Sequence, residues 1–177
     1  MRDAVNAELK SRGMTPDAKI FCELLSVEDE SWQDCVEACL GDRRFDILVP
    51  PAHYAAAKSA FVALKDKVGP ISLLDTPGIR KANRRADKYG PDSLAAQVSS
   101  ENPLAAQYAQ TILGRIVCCD TPETLEQYPD SATRDLLRHH PFRLERLRTP
   151  QRYIGLEARR ALSLIHISEP TRHSLIS

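Results

Sequence analysis

Three groups of residues have the types and spacing to do chemistry. Cys35 and Cys39 lie four positions apart, Cys118 and Cys119 are adjacent, and with His139 and His140 they offer the nitrogen and sulfur ligands of a zinc site. Trp32, Cys35, Val36, Cys39 and Leu40 also recur at three and four, so the same thiols belong to an apolar helix stripe, which sends them to a core. The five cysteines, an odd number, argue against a secreted disulfide framework. Leu74-Asp75-Thr76-Pro77-Gly78 has the Asp-x-x-Gly spacing that senses a γ-phosphate and magnesium, but no G-x-x-x-x-G-K-[ST] loop precedes it. The other reading of Asp75 is a strand end before a Pro-Gly turn. Arg80, Lys81, Arg84, Arg85 and Lys88 place five positive charges in nine residues with Asp87 as the only acid among them. Such a patch can hold phosphates with salt-dependent affinity, or it can be a solvated loop.

Acid-base and nucleophilic catalysis find less support. There is no G-x-S-x-G elbow, and no cysteine has a base beside it in sequence. His53 reads as a helix-surface residue and His139-His140 as loop. Glu28-Asp29-Glu30 could bind a cation, but acids in the first turn of a helix are favoured by its dipole. No catalytic residue and no metal ligand is therefore expected.

The elements that must position these groups are legible from residues 18–64. Lys19 to Val27 reads as a mostly buried strand. A helix carrying the Trp32 stripe follows and stops at Gly41, and Phe45 to Val49 is a second strand. Pro50-Pro51 ends that strand and starts a helix with Tyr54, Ala57, Phe61 and Leu64 on one face. Upstream, Asp3 to Arg12 suits the last turns of an incoming helix ending at Gly13, too short to stand alone. Downstream, Ile71 to Leu74 reads as a third strand, residues 75–93 as a surface loop, and Ser93 to Ser100 as a short helix. Asn102-Pro103 opens a helix to Leu113 with Ala106, Ala109, Ile112 and Leu113 as its apolar face. Gly114 closes it, Arg115 to Cys119 is a strand, and Thr121-Pro122-Glu123 caps a helix packed by Leu125 and Tyr128. Each half thus runs helix, Leu-Gly, strand, Pro-started helix, a weak internal duplication. The expected fold is α/β (mixed α+β), built as two pseudo-repeated strand-helix lobes.

Composition is consistent with one compact unit. The chain has 177 residues, 42% apolar and 27% charged, near the globular average. No run approaches the roughly 20 apolar residues that cross a bilayer, and MRDAVNAELKSRG has no signal-peptide core, so a cytoplasmic location is expected. Net charge is zero, yet residues 1–40 hold nine acids against four bases, while 134–160 hold eight arginines against three acids. The basic half suits an acidic partner, nucleic acid or plain solvent.

CVEACLGDRRFDILVPPAHYAAAKSAFVALKDKVGPISLLDT is similar to the first half of the SMC hinge domain, in which an Ala-Val-Glu-x-x-Leu-Gly helix precedes a Val-rich strand and an Ala-rich helix. TILGRIVCCDTPETLEQY resembles the second half. DAKIFCELLSVEDESWQDCVEACLG, SSENPLAAQYAQTILGRIVCC and RYIGLEARR look most like the large ATPases of the Wadjet anti-plasmid systems, JetC, and their MukB-like relatives. The resemblance covers roughly residues 14–160. It implies a hinge flanked by coiled-coil arms, a homodimer, possible contact with DNA through Arg80, Lys81, Arg84, Arg85 and Lys88, and condensin-like accessory subunits, with no membrane partner and a nucleoid-associated location. It implies no cofactor in this fragment, with ATP and magnesium held by the parent's head domain. Residues 1–13 would end an incoming coiled-coil helix, and 14–160 would be the hinge, with lobes at 14–75 and 93–160 about a basic loop at 76–92. DLLRHHPFRLERLR stands where many hinges have glycine-rich pairing strands. Residues 161–177 are read as a non-native tail, since LSLIHISEPTR resembles a translated sequencing adaptor. The other readings are a small α/β nucleotide-binding or hydrolytic enzyme using the Asp75 turn, and a free-standing nucleic-acid-binding module.

Overall fold

The computed structural model describes residues 1–64, 71–82 and 89–155. Helix α1 (Arg2–Ser11) docks Val5 and Leu9, both fully buried, on α3 (Tyr54–Ala63). Burial of two such side chains, worth about 1.5–3 kcal/mol each, supplies what an isolated helix of this length lacks. Asn6 fixes the return of the chain, accepting from the Ala18 amide at 2.8 Å.

The strand expected from Lys19 to Val27 is in fact two. β1 (Lys19–Ile20) pairs antiparallel with β3 (Ile47–Leu48), and β2 (Ser26–Val27) pairs antiparallel with β4 (Val98–Ser99). A 3-10 turn, Phe21–Leu24, lies between them. Phe21 and Cys22 are consecutive and both buried, which an extended strand with one core face cannot achieve. The turn rotates both inward while the chain passes from one sheet to the other.

Asp29 accepts from the Ser31 amide at 2.9 Å and starts a 3-10 turn, Glu30–Trp32, that runs into α2 (Gln33–Leu40). The expected stripe is the buried face: Trp32, Cys35, Val36 and Leu40 are buried and Cys39 is half-buried. Gly41 ends the helix at φ +55°, where a side chain would be strained. On α3 the buried face is Ala56, Ala57 and Ala60, whereas Tyr54, Phe61 and Leu64 are only half-buried. Alanines let α1 approach closely, so small side chains rather than large ones define the contact.

Residues 71–74 bridge in parallel to β3: the Ile47 amide donates to Ser72 O and the Leu74 amide to Ile47 O, both at 2.9 Å. The surface loop expected over 75–93 begins instead as helix α4 (Thr76–Ala82). Asp75 Oδ1 accepts from the Gly78 amide at 3.0 Å, so the Asp-x-x-Gly spacing is that of a helix cap. The helix expected at Ser93–Ser100 is a 3-10 turn, Leu94–Gln97, followed by β4, because Val98 and Ser99 are claimed by β2.

Asn102 caps α5 (Pro103–Leu113) through the Leu104 and Ala105 amides. Its buried face is Ala105, Ala109 and Leu113, one residue round from the expected face at Ala106 and Ile112. Gly114 has an ordinary negative φ, but a Cβ there would overlap the ring of Tyr89.

β5 (Val117–Cys119) leads through a 3-10 turn, Pro122–Gln127, to β6 (Ser131–Thr133), which pairs with it in parallel. Thr121 makes no side-chain cap; Leu125 is buried as expected, but Tyr128 is 39% exposed. The segment expected as a loop at His139-His140 is strand β7 (Leu137–His140). It pairs antiparallel with β6 and with β8 (Arg143–Arg146). The sheet order is β5-β6-β7-β8, with β8 at its edge.

The larger core is drawn from both halves of the chain, joining Phe21, Trp32 and Leu40 to Leu94, Leu113, Ile116 and Ile154. A smaller core joins Val5 and Leu9 to Ile47, Val49 and Ala57. Asp46 lies where the two approach. Tyr108 donates to its Oδ2 at 2.9 Å, and burial pushes the carboxyl above its ordinary range, partly offset by that bond.

Candidate interface at the hairpin tip and the anchored segment 151–155

Glu37 organises the first of two surfaces. Its side chain is fully buried on α2 and accepts from Arg44 Nη1 at 3.0 Å, from the Tyr153 amide at 2.8 and 2.9 Å, and from the Ile154 amide at 3.3 Å. Arg44 donates further to Gly41 O and Gln151 O, and its guanidinium lies 5.2 Å from the ring centroids of Phe45 and Tyr153. Gln33 donates to Ile154 O at 2.8 Å, and Arg152 reaches Asp34 and Glu30. A buried carboxylate is tolerable only when its lone pairs are filled, and here one guanidinium and two backbone amides fill them. Residues 151–155 are thereby fastened to one face of α2.

The second surface is the β7–β8 hairpin. Its register pairs His140 with Arg143 across the two-residue turn Pro141-Phe142. The flanks are ionic: His140 Nε2 and Arg143 Nη2 both lie 2.8 Å from Glu145, and Arg138 is bidentate to Asp130. The His140 hydrogen bond, and after it the charge of Arg143, hold the Glu145 carboxyl below its usual range. Against this polar frame Phe142, in the turn, is fully exposed and Leu144 is 54% exposed on the strand that is the sheet's edge among the described residues. Next to the turn lies a cavity of about 680 Å³ lined by Tyr89, Gly114, Val117, Tyr128, Pro129 and Pro141 among others.

The residues singled out in the sequence are dispersed by the fold. Arg80 and Lys81 are exposed on α4, while Arg84, Arg85 and Lys88 fall outside the described residues, as does the tail from 156. The neighbouring Cys39 thiol, and after it burial, push the Cys35 thiol up; burial pushes Cys22 and Cys118 each to about 12. These thiols stay protonated and pack as core, and no metal-binding group of three or more His, Cys, Asp or Glu exists among the described residues. His53 is not a free surface group: its Nδ1 lies 3.0 Å from Asp17 Oδ1. Asp75 is spent on capping α4. No described helix is long and apolar enough to cross a membrane. Sequence reasoning missed Glu37, Arg44 and Phe142. Arg44 lies beyond the Gly41 stop in a 3-10 turn, so no helical spacing links it to Glu37, and an exposed Phe in a turn gives no signal either.

The family model of the flexible hinge domain of SMC proteins matches residues 17–128. The chain belongs to the SMC hinge family. The fold of this hinge domain is similar to that of the Geobacillus stearothermophilus SMC hinge domain, solved as an asymmetric dimer, at 17% identity and a TM-score of 0.56, over 96% of this chain and 73% of that one. The Pyrococcus furiosus SMC hinge domain matches at 16% identity and 0.55, over 87% and 90% of the two chains. The same hinge with an extended coiled coil matches at 18% and 0.59, over 98% and 65%. At these identities the likeness concerns the fold. The comparison with curated proteins gave no match.

Proposed function

We propose that this hinge domain joins the two coiled-coil arms of a long SMC-like ATPase and pairs with a second copy through the β7–β8 hairpin. The observation that carries the reading is the hinge match over residues 17–128 together with an edge strand, unpaired on one side among the described residues, that bears Leu144 and follows the turn carrying Phe142. Unpaired edge backbone beside exposed apolar side chains is a ready template for association. Segment 151–155, held to α2 by Glu37, is where the outgoing arm would be fixed, and α1 is where the incoming one would be. Sedimentation equilibrium of the chain tests the pairing: a reversible dimer is expected, and a monomer at every concentration removes it.

The parent's role follows the resemblance to JetC and MukB-like proteins: plasmid defence or DNA condensation, with ATP and magnesium in the head and condensin-like accessory subunits. Arg80 and Lys81, both exposed, with Arg84, Arg85 and Lys88, are the proposed DNA contacts. Reversing Arg80 and Lys81 to Glu should lower the salt slope of duplex binding by about 1–2; an unchanged slope makes α4 a solvated face.

A further inference from the structure

The β7–β8 turn holds an aromatic ring in water at a conformational cost. Phe142 has φ +65°, a region that costs a residue with a Cβ about 1–2 kcal/mol and that hairpins ordinarily fill with Gly, Asn or Asp. Its ring is nonetheless fully exposed, so no contact among the described residues repays that cost. The preceding residue, Pro141, forms part of the wall of the 680 Å³ cavity, whose other apolar walls are Tyr89, Tyr128, Pro129 and Val117. A single aromatic ring needs on the order of 150 Å³, so the cavity has room for Phe142 and part of its turn.

We propose that Phe142 of each copy inserts into this cavity of a second copy; the inference rests on the dimer reading above and specifies its contact. Knob and hole are neighbours on one surface. A two-fold axis passing between them seats both at once and leaves neither free, which is the condition for a closed, isologous dimer. Charge is complementary in the same arrangement. Arg143, 68% exposed, follows the knob, and Asp92, exposed and without an ion-pair partner among the described residues, lines the hole. The two-fold brings each arginine toward the partner's aspartate. The one cation of the lining, Arg115, would likewise meet Glu145 of the second copy's hairpin.

The test is sedimentation equilibrium on the full chain, with urea midpoints recorded in parallel to verify folding. Phe142→Asn keeps the left-handed turn and removes the ring; it should weaken dimerisation about 100-fold, as loss of a central aromatic anchor does. Arg143→Asp and Asp92→Arg should each weaken it about 10-fold, and the double variant should return to within about 3-fold of wild type. A Phe142→Asn protein that dimerises like wild type overturns the insertion while leaving the dimer reading intact. A double variant as weak as the sum of its singles overturns the docking geometry even if Phe142→Asn proves poorly folded. A wild-type chain that is monomeric throughout overturns the insertion and the dimer reading together.

Discussion

Segment 151–155 and the hairpin at 137–146 are close in sequence and opposite in physics. In the first, polar groups are buried and every one of the contacts found is made within the chain: Glu37 meets Arg44 and two backbone amides, and Gln33 meets Ile154 O. In the second, two apolar side chains stand in solvent, Leu144 on an edge strand and Phe142 in the turn before it, where a strained backbone holds the ring. A network that is satisfied internally fixes segment 151–155 on α2. In the proposed dimer, the surface that is unsatisfied internally is completed by a second copy.

The contrast can be broken at either end. Glu37→Ala strips the partner from a buried guanidinium and two amides, and should destabilise the fold by about 3–5 kcal/mol in urea unfolding; a loss below about 1 kcal/mol would make the anchor dispensable. Gly114→Ala forces a Cβ into Tyr89, a wall of the proposed hole, and should cost about 1–3 kcal/mol. Gly41→Ala meets no neighbouring atom and should cost only the roughly 1 kcal/mol of its positive φ, which separates the two Leu-Gly junctions by mechanism. Phe142→Asn, measured at a dilution where the chain is monomeric, should change stability by no more than about 0.5 kcal/mol, with relief of turn strain as the expected sign.

The smallest effect concerns pH. Burial raises the folded-state carboxyl of Asp46 above its unfolded value near 4. The native state then holds the proton more tightly, so this contribution to stability is present below the unfolded value and is lost as pH rises through the folded one. Asp46→Asn should flatten that limb of the melting temperature against pH; an unaltered limb would assign it to another group.

The face of α2 and the helix starts and stops were legible in the sequence because they follow local rules, whereas the faces of α3 and α5 were set by what packs on them. The Trp32 stripe, the Gly41 stop and the Asn102-Pro103 start are all where periodicity and capping place them. Lys19 to Val27 was not legible as two strands, since its division is imposed by β3 and β4, which lie far along the chain. The hairpin was hidden for a different reason: Leu137 to Arg146 is mostly charged, and its strands are held by backbone pairing and cross-strand ion pairs rather than by an apolar alternation. Glu37 was not singled out, because its partners are Arg44 and the amides of residues 153 and 154, which no pattern within α2 announces.

Hydrogen exchange of the wild-type chain at two concentrations, one well above and one well below its dimer dissociation constant, tests the contrast directly. The account predicts that amides of 142–146 gain protection at the higher concentration, while Tyr153 and Ile154 are protected equally at both. Equal exchange of the hairpin at both concentrations, or fast exchange of Tyr153 and Ile154, would contradict it.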